Sequence, residues 1–148
     1  MVKRRDTFRA TDFWRLIKGK GTKYYIDSSI IIALINEKDP NHEKAIANYP
    51  KDGEKVISKF VVTELYSVFS RTLKLSEEEL NALVDYALEK CGCKIEDVEF
   101  NRVFDLALRM SNRVKLKTLD FLHLSASISM GCEILSLDKE IIEAKKLV

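Results

Sequence analysis

The sequence lacks any long apolar run. Its longest, residues 30–35, is too short to cross a bilayer, and the start, Met-Val-Lys-Arg-Arg-Asp, has no apolar segment of the signal-peptide type. With 46% apolar and 32% charged residues among 148, the composition excludes a disordered or membrane-embedded chain and fits one globular domain. We therefore expect a cytoplasmic protein with no membrane partner.

Cysteine is also scarce. The chain has three cysteines, an odd number for a disulfide framework, and Cys91-Gly92-Cys93 has neither the CxxC spacing of a redox motif nor that of half a zinc site. We interpret Cys91, Cys93 and Cys132 as small thiols of the core or of loops. A redox or metal role for them is the alternative.

Positive charge is concentrated in the first 23 residues, although the net charge of the whole chain is only +2. This segment holds two acidic residues and eight basic ones: Lys3, Arg4, Arg5, Arg9, Arg15, Lys18, Lys20 and Lys23. A basic arm on a slightly acidic body indicates contact with a polyanion. The alternative, which is compatible with the first, is a solvated helix that packs on the body through Phe8, Phe13, Trp14 and Ile17.

Short apolar segments alternate with helical patterns along the rest of the chain. Strands are predicted at residues 24–26, 55–57, 93–95 and 132–137. Helices are predicted at residues 30–35, 41–49, 59–73, 76–90, 98–110, 118–130 and 138–146. Ser28 or Ser29 would cap the first of these helices, and Thr118 the sixth. Ser76 and Glu79 form a capping box. This order predicts an α/β domain with a parallel sheet, whose functional crevice lies outside the carboxyl ends of the strands.

Four acidic residues lie beside apolar segments: Asp27, Glu64, Asp120 and Asp138. Asp27 and Asp138 follow predicted strands, so a parallel sheet would place both at its carboxyl edge. Glu64 shares a helical face with apolar residues, where burial disfavours an unpaired carboxylate. Two unit charges about 5 Å apart repel by roughly 3 kcal/mol at an effective dielectric near 20. Acids gathered at one edge therefore need compensation, and a divalent metal is the usual one.

Each acid also has a structural explanation. Asp27 and Asp138 could cap the helices that follow them. Asp120 could complement a helix dipole, and Glu64 could lie at a solvated edge. These explanations do not account for four acids directed at one edge of one sheet. Oxygen ligands suit Mg²⁺ or Mn²⁺, which activate water and neutralise a phosphodiester, so we predict metal-dependent hydrolysis.

The chain also has two histidines. His123, three residues after Asp120, lies on the same side of a helix and could hydrogen-bond near the site. We favour a packed histidine whose hydrogen bonds are satisfied. His42 is predicted at the surface or at the start of a helix, and neither histidine has a zinc-binding spacing such as HExxH.

Four segments resemble, in order and spacing, the acidic motifs of PIN domains. They are Tyr25-Ile26-Asp27-Ser28-Ser29, Val62-Thr63-Glu64-Leu65, Leu119-Asp120-Phe121-Leu122-His123-Leu124-Ser125-Ala126 and Ile134-Leu135-Ser136-Leu137-Asp138-Lys139-Glu140. The resemblance implies a three-layer α/β/α fold over residues 23–148, after a basic N-terminal extension of residues 1–22. It also implies a Mg²⁺- or Mn²⁺-dependent endoribonuclease that leaves 5′-phosphate and 3′-hydroxyl ends. The implied metal-binding and catalytic residues are Asp27, Glu64, Asp120 and Asp138, with Ser28 or Ser136 as accessory polar contacts.

Many compact prokaryotic PIN proteins resemble toxins of the VapBC type. The resemblance therefore implies an RNA substrate, a small antitoxin partner and a homodimer. Such toxins typically begin almost directly with the first strand, and the basic extension departs from that pattern; it could support RNA binding, dimerisation or a different processing role. The alternative function is a non-catalytic RNA-binding or assembly subunit with the same fold, which the loss of an acid would favour. All four acids are present.

Overall fold

The fold is organised around four short parallel strands. In the computed structural model, which describes residues 21–148, the strands are β1 Lys23–Ile26, β2 Glu54–Ile57, β3 Cys93–Ile95 and β4 Glu133–Leu135. They form one sheet in the order β3-β2-β1-β4, and every neighbouring pair is parallel. Tyr25 pairs with Val56 of β2 on one side and with Ile134 of β4 on the other. The strand order therefore reverses at β1.

Helices cover both faces of this sheet. Within the described residues they are α1 Ser28–Ile35, α2 His42–Asn48, α3 Lys59–Thr72, α4 Glu77–Cys91, α5 Phe100–Met110, α6 Thr118–Ser129 and α7 Lys139–Lys145. Helices α1 to α4 pack on one another, α5 to α7 form a second group, and α3 also contacts α6. The predicted three-layer α/β/α fold with a central parallel sheet is confirmed. From residue 21 onward, none of the helices is both long and apolar enough to cross a membrane.

The core is built from the central strands and the helix that follows β2. Tyr25, Ile26 and Ile57 are fully buried, as expected for parallel strands covered on both faces. Along α3, Val61, Leu65 and Phe69 recur every four residues and so form one buried stripe. This stripe fixes how α3 lies on the sheet, and Glu64 beside it is thereby directed toward the carboxyl edge.

Of the helix caps predicted at serine and threonine residues, that of α4 is confirmed and those of α1 and α6 are wrong. Ser76 and Glu79 make the capping box of α4. Asp27 occupies the N-cap position of α1, and neither Ser28 nor Ser29 caps that helix. Lys117, not Thr118, is at the N-cap of α6, where no side chain makes a capping hydrogen bond.

The last strand is shorter than predicted. Residues 132–137 were expected to be extended, but β4 ends at Leu135. Ser136 leaves the ladder at this point, and its hydroxyl donates a hydrogen bond to Asp27 Oδ2 at 2.7 Å. The chain bends at this point to contact the end of β1.

The cysteines have the environment of structural thiols. Cys91 is buried and Cys93 and Cys132 are half-buried, and all three are free. Burial raises the pKa of Cys91 to about 12 and that of Cys132 to about 11. Thiols with such pKa values stay protonated at neutral pH and are poor nucleophiles and metal ligands.

The predicted basic arm falls mostly on residues 1–20, which lie outside the described residues. Its last member, Lys23, begins β1. The Lys23 ammonium pairs with Glu96 Oε1 at 3.1 Å and with Glu54 Oε2 at 3.9 Å. Lys23 therefore has acidic partners within the domain.

Candidate metal centre

The carboxyl ends of β1 and β4 meet at the point where the strand order reverses. Asp27 follows the last residue of β1, and its backbone N–H donates to Leu135 O at 2.9 Å, which continues the ladder between the two strands. Asp138 lies three residues beyond the end of β4 and begins α7. In open parallel sheets, a reversal of strand order leaves a crevice at this edge for a ligand.

Asp27 is held by two serine hydroxyls. Its Oδ2 accepts hydrogen bonds from Ser29 at 2.8 Å and from Ser136 at 2.7 Å, and the residue is 3% exposed. The side chain makes no capping hydrogen bond to α1. The alternative explanation of Asp27 as a helix cap is therefore wrong, because its carboxylate turns toward β4 instead of toward the helix backbone.

Glu64 reaches the same place from α3. Its Oε1 accepts a hydrogen bond from the Ser28 hydroxyl, and its Oε2 lies 3.5 Å from His123 Nε2. The Glu64 side chain is 20% exposed, so this carboxylate still has access to solvent. Ser28, the first residue of α1, thus orients Glu64 across the crevice.

His123 is fully buried beneath these two acids. Its Nδ1 lies 2.8 Å from the Tyr25 hydroxyl, which in turn lies 2.7 Å from Ser58 Oγ. Its Nε2 lies 3.9 Å from Asp27 Oδ1. Neither His123 Nε2 nor Asp27 Oδ1 has a hydrogen-bond partner among the described residues. His123 was predicted to be packed with its hydrogen bonds satisfied: it is packed, but only one ring nitrogen is satisfied.

A second group of acids lies at the start of α6 and α7. Asp120 is in the first turn of α6, and Asp138 is the N-cap of α7, where its Oδ1 accepts from Glu140 N at 2.8 Å. Asp120, Asp138 and Glu140 can each offer one oxygen atom such that these atoms all lie within 4.8 Å of one another. The predicted cap by Asp138 is confirmed, and this role leaves its other oxygen free of the capping bond.

The two groups of acids act on one another electrostatically. Burial and then the carboxylates of Asp138, Asp27 and Glu64 raise the pKa of Asp120, against a smaller opposing effect of His123. The carboxylates at this edge therefore repel one another, which disfavours the charged form of Asp120. Carboxylates whose pKa is raised by burial and by neighbouring negative charges cluster at functional sites.

The donors present fit a divalent cation. Asp27, Glu64 and His123 also offer one atom each within 4.8 Å of one another, so the crevice contains two adjacent sets of three donors. A buried oxygen and a buried nitrogen without hydrogen bonds cost free energy unless a further group contacts them. A cation bound by Asp27 and Glu64 would satisfy the Asp27 oxygen, and a cation at either set, with Asp120 and Asp138 as ligands in the second, would offset the repulsion.

Sequence reasoning did not find Glu140. Its signal was its position two residues after Asp138, in the first turn of a helix, where an acid is ordinarily explained by the helix dipole. The proximity of Glu140 to Asp120 depends on how α6 and α7 pack, which spacing within one helix does not reveal.

Asp120→Asn is expected to change how stability depends on pH. The folded state binds the Asp120 proton more tightly than the unfolded chain, whose pKa stays near 3.8, so metal-free stability should fall as pH rises through the raised pKa. The variant lacks this titrating carboxyl group, so at pH values above the raised pKa it should be the more stable protein. Denaturant midpoints in EDTA between about pH 3 and about pH 8 measure this. Parallel curves of denaturant midpoint against pH for the two proteins would contradict the raised pKa of Asp120.

Comparison with known proteins identifies the class that this fold and acidic edge define. The family profile of the PIN domain matches residues 24–147. The chain belongs to the PIN domain family. No curated protein sequence matches it significantly.

Several solved structures share the fold. VapBC2 from Rickettsia felis, bound to a DNA fragment from its promoter, is 19% identical over 86% of this chain and 96% of that chain, with a TM-score of 0.64. VapC20 from Mycobacterium tuberculosis, described as a Sarcin-Ricin loop cleaving toxin, is 17% identical over 84% of this chain and 96% of that chain, with a TM-score of 0.63. FitAcB from Neisseria gonorrhoeae is 14% identical over 84% of this chain and 94% of that chain, with a TM-score of 0.60. At these identities the similarity shows the fold alone.

Proposed function

We propose that this PIN domain is a metal-dependent ribonuclease that hydrolyses RNA phosphodiester bonds with Mg²⁺ or Mn²⁺. The proposed catalytic and metal-binding residues are Asp27, Glu64, Asp120 and Asp138. The observation that carries the proposal is the crevice at the ends of β1 and β4, where these carboxylates gather and the buried Asp27 Oδ1 has no partner among the described residues. Membership of the PIN family supports the same chemistry.

The residues around the crevice have separable roles. Ser29 and Ser136 fix the Asp27 carboxylate, and Ser28 fixes that of Glu64. A bound divalent cation supplies Lewis acidity, which lowers the pKa of water and neutralises charge on a phosphodiester. Glu64 and Asp120 are only partly buried, so a substrate phosphate would have access to them.

The toxin part of the proposal rests on similarity. VapC20 is described as a toxin that cleaves the Sarcin-Ricin loop, and VapBC2 has the same fold. We propose RNA as the substrate and a small antitoxin, encoded by a neighbouring reading frame, as the partner. Co-expression with that product should give a stable complex that does not cleave RNA. Free protein with undiminished activity in the presence of the product would contradict the pairing.

A cleavage assay tests the proposed activity. Purified protein is incubated with structured and unstructured RNA, and with matched DNA, in the presence of Mg²⁺, Mn²⁺ or EDTA. We expect RNA cleavage with either metal, 5′-phosphate ends, and no cleavage in EDTA. The exposed Asp105 of α5 offers a matched control, because Asp105→Asn removes one carboxylate elsewhere and should retain activity. RNA binding without cleavage in any metal would favour the non-catalytic RNA-binding subunit.

Removal of residues 1–20 is expected to weaken RNA binding and to flatten its dependence on salt. The basic extension, residues 1–22, holds seven of the eight basic residues of the arm. Each phosphate contact that is lost reduces the steepness of log affinity against log salt concentration by slightly less than one unit. Binding isotherms at several salt concentrations measure both effects. An unchanged slope together with a lower melting temperature would instead assign Phe8, Phe13 and Trp14 a packing role.

Leu108→Glu is expected to convert a dimer into a monomer. Helix α5 leaves three large apolar side chains exposed, Phe100 at 47%, Phe104 at 44% and Leu108 at 73%. A second copy of the chain would bury this face, and a charge placed on both sides of a symmetric contact would repel. Light scattering after size exclusion measures the mass. Ile46→Glu on α2, where Ile46 is 51% exposed, is the control and should stay dimeric. A wild-type monomer would contradict the homodimer.

A further inference from the structure

We propose that His123 Nε2 is a metal ligand, so that the cation between Asp27 and Glu64 binds one nitrogen as well as carboxylate oxygens and the centre prefers Mn²⁺ to Mg²⁺. This inference rests on the proposed metal site and adds to it a donor that is not acidic. It follows from the burial of the ring, from two distances and from the hydrogen bonds of the other ring nitrogen.

The burial of His123 is the first observation. The residue is 0% exposed, and its Nε2 is directed at two carboxylates without a hydrogen-bond partner among the described residues. Asp27 Oδ1, one of the atoms it faces, is likewise buried and without a partner. Buried polar atoms without partners are rare in folded proteins, so two that face each other favour a third group that contacts both, such as a cation.

The distances separate a ligand from a hydrogen bond. His123 Nε2 is 3.5 Å from Glu64 Oε2 and 3.9 Å from Asp27 Oδ1, both longer than the roughly 2.7–3.2 Å of an N–H···O hydrogen bond. Two donors on one cation with bonds of about 2.0–2.2 Å can stand up to about 4.4 Å apart. The three atoms are therefore too far apart to bond one another and close enough to share an ion.

The other ring nitrogen supports the same arrangement. Ser58 Oγ accepts from Phe60 N at 3.2 Å and lies 2.7 Å from the Tyr25 hydroxyl. If Tyr25 donates to Ser58, the Tyr25 oxygen accepts from His123 Nδ1–H at 2.8 Å, and the tautomer with its proton on Nδ1 has its lone pair on Nε2. Histidines that bind metals almost always donate the other N–H to such a partner. The contacts from Ser58 through Tyr25 thus hold the His123 ring with its Nε2 toward the acids.

A nitrogen donor changes the metal preference. Mg²⁺ is bound by oxygen ligands, whereas imidazole suits transition metals. Loss of the imidazole should therefore weaken Mn²⁺ binding more than Mg²⁺ binding. By analogy with changes around metal ligands, His123→Asn should weaken Mn²⁺ affinity by about 10-fold to 100-fold or more, with a smaller change for Mg²⁺.

The test is pulsed electron paramagnetic resonance of the Mn²⁺-loaded full chain, which detects nitrogen bound directly to Mn²⁺ and needs no change at His123. The chain has two histidines, and His42 begins α2 with its Nδ1 2.6 Å from Ala33 O. Protein with His42→Asn, made without a histidine tag, therefore has His123 as its sole histidine. It is prepared once with natural histidine and once with ¹⁵N-histidine.

We expect nitrogen modulation from bound Mn²⁺ that changes from the ¹⁴N to the ¹⁵N pattern on labelling. Bound Mn²⁺ without histidine nitrogen modulation would overturn the inference and leave the proposed metal site intact. No bound Mn²⁺ at all would overturn both. In a second measurement, calorimetric titrations of wild type and His123→Asn with each metal should show a lower ratio of Mn²⁺ to Mg²⁺ affinity in the variant, and an unchanged ratio would contradict the preference.

Discussion

Asp27→Asn is expected to abolish RNA cleavage and to leave the metal-free fold at least as stable as the wild type. The carboxylates of Asp138, Asp27 and Glu64 raise the pKa of Asp120. Removal of the negative charge of Asp27 therefore relieves repulsion in this region. The same change removes a metal ligand. Since changes in the shell around metal ligands cost about 10-fold to 100-fold in affinity or activity, loss of Asp27 should cost about 100-fold or more. Cleavage rates with Mn²⁺ and thermal melts in EDTA measure the two effects.

The response to metal distinguishes a ligand from a structural residue. A cation that binds only the folded state raises the melting temperature, and Asp27→Asn should shrink the rise that Mn²⁺ produces. Asp27→Ala is the companion variant, because Asn can still act as a cap and Ala cannot. A cap would cost about 0.5–2 kcal/mol on change to Ala, with an unchanged response to metal. An undiminished Mn²⁺ shift in both variants would remove Asp27 from the metal site.

Leu65→Ala is expected to destabilise the fold by about 2–5 kcal/mol, the range for a buried leucine that leaves a cavity. Leu65 is fully buried in the stripe of α3 that packs on the sheet. Glu64 precedes it on the same helix, and Glu64→Gln, which relieves repulsion, should cost little stability while removing activity. Denaturant unfolding in EDTA compares the three proteins. A loss below about 1 kcal/mol for Leu65→Ala would show that α3 is not packed as described.

Much of the fold could be predicted because its local signals agree. The strands are short apolar segments bounded by polar residues, and the stripe of α3 has helical spacing, so element type and order follow from the chain itself. The placement of Asp27 and Asp138 at one edge then follows from parallel strands, whose carboxyl ends share an edge. The sequence could also identify the Ser76 and Glu79 capping box, because its two partners are three residues apart.

What could not be predicted depends on contacts between distant segments. Ser28 has the side chain of a helix cap, yet it bonds Glu64, which only the approach of α3 brings into reach. In the same way, the approach of β4 brings the Ser136 hydroxyl to Asp27. The unpaired nitrogen of His123 likewise follows from the packing of α6 against β1 and α3. The boundary between the basic extension and the PIN-like domain, and the roles assigned to the four acids, remain predictions.

Diffraction at the manganese absorption edge, from crystals soaked in Mn²⁺, tests the central claim most directly. The anomalous map locates the cation without reference to activity. The account predicts a peak in the crevice at the ends of β1 and β4, within bonding distance of Asp27 and Glu64 carboxylate oxygens. Soaked crystals with no peak there, or with Mn²⁺ bound only elsewhere on the protein, would contradict it.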